Sequence, residues 1–116
     1  MSTSPEKRTR DLFRSNGYIV DGVNRYEAYS GRRHDFIGCV DLIAFNDEET
    51  IAIQATSASN RAARRKKLLG NEDAKRWLAS GHRKLYLVTW GLRKPRGETR
   101  PRWKENIEEI RREDFL

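Results

Sequence analysis

The chain has 116 residues, 35 % of them charged, with a net charge of +7 and a mean hydropathy of −0.91. That length builds one domain around one modest core, so residues 1–116 are read as a single unit. Three Trp, four Tyr and four Phe, set in periodic apolar runs, exclude a disordered chain. No apolar run approaches the length of a membrane span, and the N-terminus shows no signal peptide. The single cysteine, Cys39, excludes an internal disulfide and fits a reducing, cytoplasmic setting. It lies in an apolar run and reads as a small core residue. The positive charge draws polyanions, of which nucleic acid is the commonest.

Ser4-Pro5-Glu6 starts a helix, with Ser as N-cap, Pro at the first helical position and an acid in the first turn. It runs to about Ser15, and Asn16-Gly17 ends it. Tyr18 to Val23 is a first strand that extends towards Tyr29, and residues 30–34 form a polar loop. Val40 to Phe45 and Ile51 to Ala55 are the second and third strands, joined as a hairpin. The second strand is apolar on both faces and belongs inside the sheet. Ala58 to Leu69 and Glu72 to Ser80 are helical, with a break at Gly70-Asn71. Lys84 to Trp90 is a fourth strand, and residues 91–101 form a basic loop. Trp103, Ile107 and Ile110 fit helical spacing, yet a final strand is also compatible. The order is α-β-β-β-α-β plus one further element, which predicts an α/β fold with a mixed central sheet flanked by helices.

Polar residues interrupt the hairpin. Asp41 opens the second strand, and Gln54 stands inside the third where an apolar residue belongs. A buried polar group is costly unless something binds it. If Asn46 pairs with Ile51, Asp41 lies opposite Thr56 and Ile43 opposite Gln54. Asp41, Gln54 and Thr56 then share one face. A single-residue slip would scatter them. Asp41 supplies a carboxylate, Gln54 an amide oxygen and Ala55 a backbone carbonyl, which are oxygen donors of the kind Mg²⁺ or Mn²⁺ takes. A further acid is needed, and Glu6 and Asp35 are the candidates.

These residues resemble the PD-(D/E)XK nuclease superfamily, in outline the archaeal-type Holliday junction resolvases and phage nuclease-like proteins. The superfamily carries an Asp at the second strand and (Asp/Glu)-x-Lys on the third. Asp41-Leu42-Ile43-Ala44 matches the first part, and Gln54-Ala55-Thr56 occupies the second. Glu6 stands before Gly17-Tyr18 as a first-helix metal-site Glu does in the resolvases, and Ser30-Gly31 resembles their Ser-Gly loop. The resemblance spans residues 5–90. It implies a restriction-endonuclease-like core, an Mg²⁺-dependent endonuclease acting on DNA, branched DNA included, and a homodimer. Asp41, Gln54, Thr56 and Glu6 would be the catalytic positions. Gln54 departs from the pattern by removing a negative charge, and Thr56 by removing a cation. Arg61, Lys66 and Lys67 could replace that cation. The same departures fit a DNA-binding protein on a decayed nuclease fold, and an RNA-binding role would share the charge.

Three basic patches accompany the hairpin. Arg61, Arg64, Arg65, Lys66 and Lys67 cover the helix that follows it. Arg93 and Lys94 begin the basic loop, and Arg32 and Arg33 form a smaller patch. All are candidates for phosphate contacts with a salt-sensitive affinity. None of them carries base-reading chemistry, so recognition of backbone or shape is expected.

Overall fold

The computed structural model describes residues 4–97 and 99–115, and of Arg25, Tyr26, Glu27 and Arg33 the backbone alone. Helix α1 spans Pro5–Ser15. The Ser4 side chain accepts a hydrogen bond from the Lys7 N–H, and Glu6 sits at the positive end of the helix. Gly17, at φ +88°, turns the chain out of the helix in a conformation that costs glycine little.

Strand β1 (Ile19–Gly22) is shorter than its apolar run suggests. The chain then leaves the sheet and forms a separate hairpin, β2 (Arg25–Glu27) with β3 (Arg32–His34), whose tip carries Gly31 at φ +68°. The predicted extension towards Tyr29 is a separate short strand that stops at Glu27, and the predicted loop at 30–34 is a turn only at Ser30 and Gly31, with a strand over Arg32–His34. Strands β4 (Leu42–Phe45) and β5 (Thr50–Ser57) form the expected hairpin. Its ladder runs Phe45↔Thr50 to Leu42↔Ile53, two residues away from the expected register. The turn explains the difference. The Asn46 Oδ1 accepts from the N–H groups of Glu48 and Glu49, and the Asn46 N–H donates to Glu49 O, so the loop closes over 46–49. A slip of two keeps every side chain on its face.

A single 3-10 turn at Ala58–Asn60 precedes α2 (Arg61–Leu69), and Asn71 caps α3 (Glu72–Trp77), three residues shorter than expected. Strand β6 (Arg83–Arg93) runs past Trp90 and pairs with β7 (Arg102–Ile110), so the final element is a strand. It satisfies the edge of β6, where a helix would have left backbone groups unpaired.

The main sheet has the order β1-β4-β5-β6-β7, with β5 and β6 parallel and the other neighbours antiparallel. This mixed five-stranded sheet with helices is an α/β fold. One apolar cluster gathers Phe13 of α1 with Val20, Leu42, Ile51, Ile53, Val88 and Trp90. The other gathers Leu68 and Ala74 of the second helical pair with Cys39, Ala52, Leu85, Leu87 and Ile110. Residues 51 and 53 thus face α1, whereas 52 faces α2 and α3, as the two-residue period of a strand requires. A buried polar link ties α1 to the sheet: the Thr9 hydroxyl donates to Pro5 O at 2.7 Å and accepts the Trp90 indole N–H at 2.9 Å. Among the described residues no helix is long and apolar enough to cross a membrane.

Candidate active site and nucleic-acid interface

The parallel register of β5 and β6, and the antiparallel register of β4 and β1, put several chain segments at one end of the sheet. They are the start of β4, the end of β5, the N-terminus of α1, the beginning of α2 and the hairpin between β6 and β7. A cavity of about 360 Å³ opens there. Asp41, Gln54, Ala55 and Thr56 line it from the sheet, Ser4, Pro5 and Glu6 from α1, Asp35 from the loop before β4, and Arg64 from α2.

Asp41 stands one residue before β4 and is 7 % exposed. Its N–H donates to Ile53 O at 2.9 Å. Its Oδ2 accepts the Gln54 Nε2 at 3.0 Å and the Ala55 N–H at 3.1 Å. The backbone group that Ala55 directs at Asp41 is therefore its N–H. Gln54 is 2 % exposed, and its Oε1 is buried without a hydrogen-bond partner. Leaving such an oxygen unsatisfied costs about 1–3 kcal/mol. Thr56 keeps the two-residue period with Gln54, and its Oγ1 accepts from the Asn60 amide at 3.4 Å. It pairs with Thr89 of β6, whose buried hydroxyl also has no hydrogen-bond partner.

A tight turn delivers Asp35 and Asp41 to the cavity. Phe36 and Val40 bridge each other across Ile37 and Gly38, which take φ +48° and +78°. A β-branched residue is strained there. The Asn71 amide donates to Ile37 O at 2.8 Å and so pins the turn to the N-terminus of α3. Cys39, inside this turn, is fully buried, and burial pushes its thiol up to about 11. It is an inert core residue, as its apolar neighbours predicted.

Glu6 faces the cavity while Arg10 lies 3.7 Å from its Oε1 and the Asn24 amide 3.4 Å from the same oxygen. Gly22 makes room for this group: a Cβ there would meet Arg10 Nη2 at 3.1 Å. Arg10 stands four residues from Glu6 on the same helix, the spacing of an i,i+4 ion pair, whereas Asn24 carried no sequence signal, because its contact joins α1 to the segment after β1.

The donor set around Asp41 consists of oxygen atoms, so it suits a hard cation in kind: the Asp41 carboxylate, the bare Gln54 Oε1, and Glu6 and Asp35 on the cavity wall. Among the described residues no three His, Cys, Asp or Glu side chains come together as a ready metal cluster.

The basic helix divides its cations. Arg61 Nη2 and Arg65 Nε bind the two oxygens of Glu108 on β7 at 2.9 and 2.6 Å. Burial alone would raise the Glu108 carboxyl, but the hydrogen bonds and charges of Arg65 and Arg61 outweigh it and hold the group below its ordinary value. Arg64 lies on a different side of the helix and reaches the cavity. Lys66 and Lys67 are exposed. Arg93 and Lys94 are exposed at the tip of the β6–β7 hairpin, and Arg32 is exposed on β3. The side chain of Arg33 lies outside the described residues. Compared with known proteins, the chain matches no family model, no curated protein and no solved structure.

Proposed function

We propose that this chain is a metal-dependent endonuclease of the PD-(D/E)XK type that acts on DNA phosphodiester bonds. The single observation that carries the reading is the Gln54 Oε1, buried without a partner next to Asp41 in a polar cavity. A cation would satisfy that oxygen and offset the cost of burying it. The element order α1, β1, β4, β5, α2–α3, β6 supports the superfamily reading once the β2–β3 hairpin is set aside as an insertion.

Asp41 and Gln54 would hold Mg²⁺ or Mn²⁺, with Glu6 or Asp35 adding a second carboxylate. Bound there, the ion would lower the pKa of a coordinated water and take up charge on the phosphoryl group. The Ala55 N–H and the Gln54 amide fix the rotamer of Asp41 through one of its oxygens. Arg64 brings a guanidinium to the same cavity and can bind a phosphate in bidentate fashion, supplying the positive charge that Thr56 does not. The N-terminus of α1 adds the favourable end of a helix dipole.

A second reading, a DNA-binding protein that no longer cleaves, has its own observation. Asp41 Oδ2 already accepts two hydrogen bonds, and the Thr56 hydroxyl is engaged by Asn60. Incubation of the purified chain with supercoiled plasmid and with a four-way junction separates the two. Nicking that requires Mg²⁺ or Mn²⁺, stops with chelator and is lost in Asp41→Asn supports the nuclease. Retarded DNA with no cleavage under any of these conditions supports the second reading.

A further inference from the structure

The loop end of the β6–β7 ladder presents an aromatic surface that the cavity around Asp41 does not use. Trp103 pairs with Leu92 across the ladder, and both are unusually open for their size, at 43 % and 55 % exposure. The Arg8 guanidinium of α1 lies over the indole, 3.8 Å from its centroid. A cavity of about 380 Å³ opens against the ring, bounded by Trp90, Leu92, Arg93 and the turn at Ser57–Ser59. Beyond it the hairpin tip carries Arg93, Lys94, Arg96 and Arg100, all exposed.

We propose that Trp103 is a stacking platform for an unpaired nucleobase of single-stranded DNA, with the hairpin cations holding the flanking phosphates. Charge complementarity selects this occupant. An apolar peptide would bring nothing to answer four exposed cations, whereas a nucleotide strand carries a flat π face and a phosphate at every step. An arginine stacked on the indole leaves a cation beside the base, a combination tolerant of base identity. Bases inside a duplex have both faces covered by neighbours, so the platform selects the unpaired nucleotides of a single-stranded tail, a flap or a branch. It lies at the same end of the sheet as the Asp41 cavity, which lets one strand reach both. This assignment rests on the nucleic-acid reading proposed above and narrows its substrate to DNA with unpaired nucleotides.

The test uses the full chain, its intrinsic tryptophan emission and three probes at fixed salt: a short oligothymidylate, an abasic oligomer with the same number of phosphates, and a blunt duplex. Oligothymidylate is expected to quench the emission and to bind about fivefold tighter than the abasic oligomer, or more. Trp103→Leu, which keeps apolar bulk without a π face, should remove most of the quench, any remainder coming from Trp90 on the same cavity. It should also reduce the affinity to that of the abasic oligomer, whose own binding it leaves unchanged. Equal, salt-sensitive binding of thymidylate and abasic oligomers by the unaltered protein would overturn the platform while sparing the nucleic-acid reading. Quenching by the duplex as strong as by the single strand would also overturn it. Failure to bind any of the three would overturn both.

Discussion

Gln54 sits 2 % exposed with its amide nitrogen on Asp41 and its carbonyl oxygen bare. Gln54→Glu replaces the donor to Asp41 by a second carboxylate. Two adjacent buried carboxylates repel, and one of them is forced to take a proton or lose stability. Without metal the variant should lose about 3–5 kcal/mol, the cost of an uncompensated buried charge. With Mg²⁺ that loss should be largely recovered, because an ionised oxygen binds a hard cation better than an amide. Thermal melts with and without Mg²⁺ read this directly, and a loss that the metal does not restore would remove Gln54 from the site. Adding Thr56→Lys should then give a variant that cleaves at least as fast as the unaltered protein.

At the scale of elements, the cations of α2 divide between two tasks. Arg64→Ala should lower the slope of log affinity for duplex DNA against log salt by about 0.9, the value of one phosphate contact. Arg61→Ala with Arg65→Ala should leave that slope nearly unchanged and instead destabilise the fold by roughly 1 kcal/mol. Both guanidiniums are more than a third exposed, and solvent screens their pairs with Glu108. Equal slope changes in the two variants would contradict the division.

Glu108 also sets a pH dependence. Its carboxyl is held below the ordinary value of 4.5, so its contribution to stability is complete above that pH and is lost as the pH falls through the depressed value. Glu49, hydrogen-bonded by Lys84 and Tyr18, behaves in the same sense. Urea midpoints should therefore lose this contribution only as the pH falls below 4.5, and Glu108→Gln should flatten that fall.

Elements whose signals are local were legible in the sequence. Ser4-Pro5-Glu6 and Asn16-Gly17 mark both ends of α1 because capping involves only neighbouring residues. Gly70-Asn71 marks the break before α3 for the same reason. The last strand was not legible, since Trp103, Ile107 and Ile110 fit a period of 3.6 and break a period of two, Ile110 being buried on the face opposite the other two. What decides is the open edge of β6, a partner in space. The Glu108 clamp was illegible because its arginines lie 43 and 47 residues away. The one-face grouping of Gln54 and Thr56 with Asp41 followed from strand periodicity and survived a two-residue error in register. The Glu6–Arg10 pair has the i,i+4 spacing of a helix, whereas the contact of Glu6 with Asn24, 18 residues away, had no sequence pattern to reveal it.

Across the whole molecule, one end of the sheet collects the chemistry. With strands about 4.8 Å apart, β1 and β7 are separated by roughly 20 Å. The Asp41 cavity opens over the middle of that span, and the β6–β7 hairpin lies at the β7 edge. A net charge of +7 supports attraction of a polyanion to the molecule as a whole, and Arg93, Lys94, Arg96 and Arg100 are exposed at the β6–β7 hairpin. The proposed activity depends on a hard divalent cation held in this cavity by Asp41. The most direct measurement is a calorimetric titration of the DNA-free chain with Mn²⁺, beside the Asp41→Asn variant. The account predicts saturable binding by the unaltered chain, displaced by excess Mg²⁺ and lost in the variant. Identical titration curves for the two proteins would contradict it.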